Sequence, residues 1–139
     1  MDWVMDCSFT AALFLPDQSS PEVHEFFSSL EDDVDLWVPT LWWYETTNVL
    51  SIAERKGFIN RADISKILSL YSKLALKTDD SHGIQYAASV YDITGKYQLS
   101  AYDAAYLELA LRRGAKLASL DRQLLSAAAK SGVTTSQRA

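Results

Sequence analysis

Apolar residues along this chain follow two spacings: short unbroken runs, and longer stretches that repeat every three to four positions. The runs Trp3–Met5, Leu36–Val38 and Ala115–Ser119 predict buried strands, and Leu74–Lys77 predicts a further short one. The periodic stretches predict helices between them. One covers Phe9–Phe14, with Ser8 as a cap and Pro16 as its stop. A second opens at Ser19 or Ser20 with Pro21 and reaches about Leu30. A third follows Pro39-Thr40 and ends at Gly57. A fourth runs from Arg61 or Asp63 to Leu76, on a stripe of Ile64, Ile67, Leu68, Tyr71 and Leu74. A fifth covers His82–Thr94 and stops at Gly95. A sixth runs from Ser100 to Gly114, and a seventh covers Arg122–Lys130, before Gly132. Val133–Thr135 reads as a last edge strand and Ser136–Ala139 as a loose tail. Strands alternating with helices predict an α/β fold, with Trp3–Met5 as its first, central strand.

The strand ends and helix starts carry acids. Asp6 follows the first strand, and Asp121 follows the strand Ala115–Ser119 and opens the last helix. Asp103 falls in the first turn of the Ser100 helix, on one stripe with Leu107 and Ala110. Glu45 is the only charged residue between Asp35 and Glu54, and shares a stripe with Leu41, Asn48 and Ile52. A charge inside an apolar helix is costly unless it is paired or bound to a metal. Any one of these acids alone reads as a helix cap or a snorkelling side chain, because the helix macrodipole favours acids at its start. The case for chemistry rests on their convergence at the C-terminal edge of a parallel sheet, where ligands of open α/β folds bind.

Composition sharpens this picture. The chain has 139 residues, 48% hydrophobic and 22% charged, which suits a single globular domain over 1–139. No apolar run reaches the length of a membrane span, and acids near the start argue against a secretory signal, so a cytoplasmic location is expected. The single cysteine, Cys7, excludes an internal disulfide, fits the cytosol and is read as a small buried hydrophobe. Net charge is −5, unevenly spread: eleven of the 18 acids lie at or before Glu54, and no Lys or Arg precedes Arg55. Past Asp103 cations dominate, with Arg112, Arg113, Lys116 and Arg122 among them. Such charges are ordinarily solvated faces. The functional reading is an acidic pole that needs a cation beside a basic edge that holds phosphates.

Two histidines and one cysteine make a zinc site improbable, and the five glycines form no phosphate-cradling loop. Asp6, Glu45, Asp103 and Asp121 brought together repel one another and need a counter-charge. Oxygen donors without His or Cys select a hard cation, Mg²⁺ or Mn²⁺. Such an ion polarises a phosphoryl oxygen and lowers the pKa of a water, which equips a site for phosphodiester hydrolysis. Ser8 and Ser119 are candidates to orient the ligands from behind, and Asn48 to hydrogen-bond Glu45 or the substrate.

The pattern Asp6-Cys-Ser8, Tyr44-Glu45-Thr-Thr-Asn48, Tyr102-Asp103-Ala-Ala-Tyr106 and Ser119-Leu-Asp121-Arg-Gln-Leu124 resembles the PIN domain, most closely the VapC-type toxin of toxin–antitoxin modules. The resemblance implies a three-layer α/β/α sandwich around a central, mainly parallel sheet. It implies an endoribonuclease in which Asp6, Glu45, Asp103 and Asp121 hold Mg²⁺ or Mn²⁺. It also implies an RNA substrate, a cognate antitoxin as partner and a homodimer, for which Trp42-Trp43 offers a paired aromatic face. Arg112, Arg113, Lys116 and Arg122 are candidates to hold the RNA. The alternative is a catalytically silent PIN-like module that binds RNA or protein.

Overall fold

Strand β1 (Trp3–Met5) lies in the middle of a four-stranded sheet, between β2 (Leu36–Pro39) and β4 (Lys116–Ala118), with β3 (Lys77–Asp79) outside β2. The computed structural model describes residues 1–137. Every strand pairing is parallel, with Val4 opposite both Trp37 and Leu117. Val4, Met5, Val38, Leu117 and Ala118 are wholly buried, which is why these runs are apolar without alternation.

Seven helices connect and cover the strands: α1 (Cys7–Phe14), α2 (Pro21–Ser28), α3 (Leu41–Arg55), α4 (Arg61–Ser72), α5 (Ile84–Tyr97), α6 (Ala101–Arg113) and α7 (Arg122–Lys130). Parallel strands must be joined by right-handed crossovers. The chain steps from β1 to β2 to β3 in one direction, then returns past β1 to β4. That reversal puts α1 to α4 on one face and α5 and α6 on the other, the three-layer sandwich expected. It also makes the gap between β1 and β4 the topological switch point, the usual ligand crevice of such sheets.

The core is one cluster, with Trp42, Tyr106, Leu107, Leu109 and Leu124 among its buried side chains. Each fully buried Leu contributes roughly 1.5–3 kcal/mol relative to exposure. Polar threads run through it. The Tyr71 hydroxyl donates to the Thr10 carbonyl at 2.9 Å, and Trp42 Nε1 donates to Thr10 Oγ1 at 3.0 Å, so α3 and α4 are both tied to α1. No helix among the described residues is long and apolar enough to cross a membrane.

Several expected boundaries move. Helix α4 ends at Ser72, and Ala75 takes a positive φ of 51°, which turns the chain before β3. The strand expected at Leu74–Lys77 is therefore Lys77–Asp79, a polar edge strand that pairs along Trp37–Pro39. Helix α5 starts at Ile84, runs through Gly95 and stops where Gln98 adopts the left-handed conformation. Val133–Thr135 forms no strand; a single bridge joins Thr135 to Leu117. Helix α1 begins at Cys7 and is capped by Asp6, whose carboxylate reaches the Phe9 amide. Of the expected tail, residues 138 and 139 lie outside the described part.

Candidate active site

Each candidate acid is placed by the end of an element. Asp6 leaves β1 and caps α1: its Oδ1 accepts from Phe9 N–H at 2.9 Å and from Ser8 Oγ at 2.7 Å. Its Oδ2 accepts from Ser119 Oγ at 2.5 Å. A carboxylate offers about four lone-pair positions, and these bonds use three of them. The remaining one is on Oδ2. Asp121 follows β4 and caps α7, with Oδ1 accepting from Leu124 N–H at 2.9 Å. Asp103 sits in the first turn of α6, where its backbone N–H donates to Ser100 Oγ at 3.2 Å. Glu45 lies on α3 and accepts at Oε1 from the Tyr106 hydroxyl of α6 at 2.5 Å.

Both Ser8 and Ser119 donate to Asp6. Ser119 Oγ donates to Asp6 while accepting from Asp121 N–H at 2.9 Å, and Ser8 Oγ accepts from Leu120 N–H at 3.2 Å. Two hydroxyls thus lock the ends of β1 and β4 to each other across the switch point. Asn48 is exposed and gives Glu45 no hydrogen bond. The donor to Glu45 is Tyr106, a buried residue whose part in the site only the helix–helix packing shows. Its phenol is held far above its ordinary pKa by burial and by Glu45, so it stays a donor. The sole sign of it in the sequence is its spacing from Asp103, about one turn away on the same helix.

Electrostatics show which acids face which. Burial first, with a smaller contribution from the charge of Asp103, raises the Asp6 pKa to about 6 against the pull of its three donors. Burial also raises Glu45, again with Asp103 adding to it. Asp103 itself is raised by burial and then by Asp121. Asp103 is therefore the hub, within electrostatic reach of the other three. Among the described residues no three His, Cys, Asp or Glu side chains stand close enough, as placed, to grip one ion. The donor set nevertheless fits a hard cation: all oxygen, mutually repelling, and with no Lys or Arg among the described residues ion-paired to any of the four. Cys7, nearby, is buried, bonded to Thr46 Oγ1 at 3.6 Å and raised to about 11 by burial, so it is no nucleophile.

The four candidate cations divide. Arg112 is committed: it bonds both oxygens of Asp79 at 2.9 and 2.8 Å and both of Glu108. Arg113 stacks over Trp37 at 3.5 Å, and Lys116 lies over Trp3 at the start of β4, the opposite end of the sheet from Asp6. Only Arg122 adjoins the acids. The paired aromatic face also divides: Trp42 is buried, while Trp43 is half-exposed and donates to Thr78 Oγ1 at 2.9 Å.

The model of the PIN domain family matches residues 4–130. The chain is 29% identical to Ribonuclease VapC3 of Pyrobaculum aerophilum over 124 residues, 89% of this chain and 92% of that protein. Its fold is similar to the crystal structure of PAE2754 from the same organism, with a TM-score of 0.70, 23% identity, and 98% and 90% of the two chains covered. It is also similar to a toxin–antitoxin complex from Klebsiella pneumoniae, with a TM-score of 0.64, 16% identity and 98% of both chains covered.

Proposed function

We propose that this chain, which belongs to the PIN domain family, is a metal-dependent endoribonuclease and the toxin of a toxin–antitoxin pair. The observation that carries the reading is Asp103 within electrostatic reach of Asp6, Glu45 and Asp121 at the switch point, with no cation among the described residues ion-paired to any of them. The relative named Ribonuclease VapC3 supports RNA as the substrate. The similar toxin–antitoxin complex supports an antitoxin protein as partner. A cytoplasmic location follows as part of this reading, from the proposed action on cellular RNA.

Asp6, Glu45, Asp103 and Asp121 would hold the ion, Mg²⁺ or Mn²⁺. When bound, such an ion supplies a Lewis acid for a phosphoryl oxygen and an acidified water. The chain's residues prepare that chemistry. Ser8, Ser119 and the Phe9 amide fix Asp6 so that its remaining lone pair on Oδ2 is the one it offers. Tyr106 occupies Oε1 of Glu45 and leaves Oε2 for the ion. Asp121 spends Oδ1 on its cap and keeps Oδ2. Asp103, charged against three neighbours, is the group most relieved by a cation. Such preorganisation by outer hydrogen bonds sets both affinity and geometry.

The test is cleavage of total RNA with Mg²⁺, Mn²⁺ or EDTA, comparing the wild-type chain with Asp103→Asn. Discrete products that need metal and vanish in the variant are expected. Equal cleavage by both proteins would overturn the reading.

A further inference from the structure

A cavity of about 280 Å³ adjoins the carboxylate edge and shares Ser119 with it. Its floor is apolar, from Phe9 and Leu125, both buried, and the partly buried Phe26. Its rim carries Glu22, Arg122 and Gln137, all exposed. Drug-sized ligands occupy roughly 300–1,000 Å³, so this space suits a single flat ring system rather than a helix or a duplex.

Of the two charged rim residues, Glu22 sits in the first turn of α2, where the macrodipole favours an acid, while Arg122 lacks a structural explanation. Arg122 is the first residue of α7, where the helix macrodipole disfavours a cation. Unlike Arg112, it makes no ion pair among the described residues, and unlike Arg113 and Lys116 it lies over no aromatic ring. Glu22 faces the same cavity, is likewise unpaired among the described residues, and is not bridged to Arg122. A cation and an acid thus flank one apolar slot without neutralising each other.

We propose that this cavity is a base pocket for the RNA strand and that it prefers guanine. The inference rests on the ribonuclease reading above. Single-stranded RNA is read by splaying a base onto apolar side chains and bonding its Watson–Crick edge. An ionised Glu only accepts hydrogen bonds. Guanine presents two adjacent donors on that edge, N1–H and the N2 amino group, which match both oxygens of Glu22. Adenine and cytosine present a single amino donor, and uracil sets its one N–H between two carbonyls. Arg122, beside Asp121, meets the phosphate between this nucleotide and the carboxylate edge. The scissile bond therefore falls next to a guanosine.

The experiment is a ¹H–¹⁵N NMR titration of the full chain, without metal, with the 5′-monophosphates of guanosine, adenosine, cytidine and uridine. Guanosine monophosphate is expected to bind tightest and to shift the amides of Phe9, Glu22, Phe26, Arg122 and Leu125. Glu22→Gln should cut the preference for guanosine roughly tenfold, the scale of one lost bidentate base contact. Arg122→Ala should weaken all four ligands alike, because a phosphate contact carries no base information. Shifts elsewhere, no binding, or variants that bind as the wild type would overturn the pocket. Metal-dependent RNA cleavage without these shifts would overturn the pocket and leave the ribonuclease reading standing. Guanosine-selective shifts in a chain that cleaves no RNA would do the reverse.

Discussion

Two groups of acids in this protein are treated in opposite ways. At the far end of α6, Asp79 and Glu108 close on Arg112, and the guanidinium holds Asp79 below the usual carboxylate range. At the C-terminal edge of the sheet, Asp6, Glu45 and Asp103 are all held above that range, by burial first and by one another second. Among the described residues, their partners are hydroxyls and amide N–H groups and not cations. The difference separates structure from function. A fold that needs only stability brings its own counter-ion. A fold that keeps like charges together without one has a site prepared for a cation from outside.

The largest effect should come from breaking the hub. Asp103→Asn should lower metal-dependent cleavage by more than about a hundredfold, since loss of even a supporting partner of a metal ligand costs about 10–100-fold. Its circular dichroism should match the wild type, because the backbone N–H at position 103 still donates to the capping Ser100 hydroxyl after the change. Breaking the other cluster should have the converse result. Arg112→Ala leaves Glu108 buried without its partner and should lower stability to urea by roughly 2–3 kcal/mol, a buried-pair loss reduced for the exposed half of the arginine. Cleavage per folded molecule should be unchanged.

Acid pH sharpens the contrast. Asp6 titrates near 6 in the folded chain, against 3.8 for an ordinary carboxyl group. Its folded pKa is raised, so its contribution to stability is fully present below about pH 4 and is lost as pH rises through about 6. The metal-free protein should therefore be more stable at pH 5 than at pH 7.5, by roughly 1.4 kcal/mol from this group. Asp6→Asn, which keeps a good helix cap, should remove most of that dependence. Asp79 has the opposite sign: its lowered pKa adds stability that is lost only on stronger acidification. Thermal unfolding at several pH values with EDTA present checks both. The smallest effect is expected at Tyr106. Tyr106→Phe should weaken Mn²⁺ binding about tenfold by freeing Glu45, read by titration of the metal's own signal, with little change in the metal-free melting temperature.

What was legible in the sequence follows from where each interaction is encoded. Asp6, Asp103 and Asp121 stand at strand ends and helix starts, and capping makes those positions readable from local sequence alone. The buried strands were readable because burial on both faces leaves an unbroken apolar run. Strand β3 was misplaced because an edge strand needs no such run; Lys77, Thr78 and Asp79 are set by pairing with β2 and by the turn at Ala75. Tyr106 and Glu45 lie 61 positions apart, and only the packing of α6 beside α3 joins them. Asn48 shares a stripe with Glu45 by helical spacing, yet that stripe turns outward there, and the donor to Glu45 is Tyr106 instead. The cations could not be fully sorted by sequence either: Glu108 stands one helical turn before Arg112, but the Asp79 that completes its pairing and the Trp37 ring under Arg113 come from β3 and β2.

The central claim is that the carboxylate edge, and not the Arg112 cluster, is built for a divalent cation. The most direct measurement is Mn²⁺ binding followed by electron paramagnetic resonance for the wild type, Asp103→Asn and Arg112→Ala. The account predicts saturable binding by the wild type and by Arg112→Ala, and its loss in Asp103→Asn. Equal binding by Asp103→Asn, or no binding by the wild type at millimolar Mn²⁺, would contradict it.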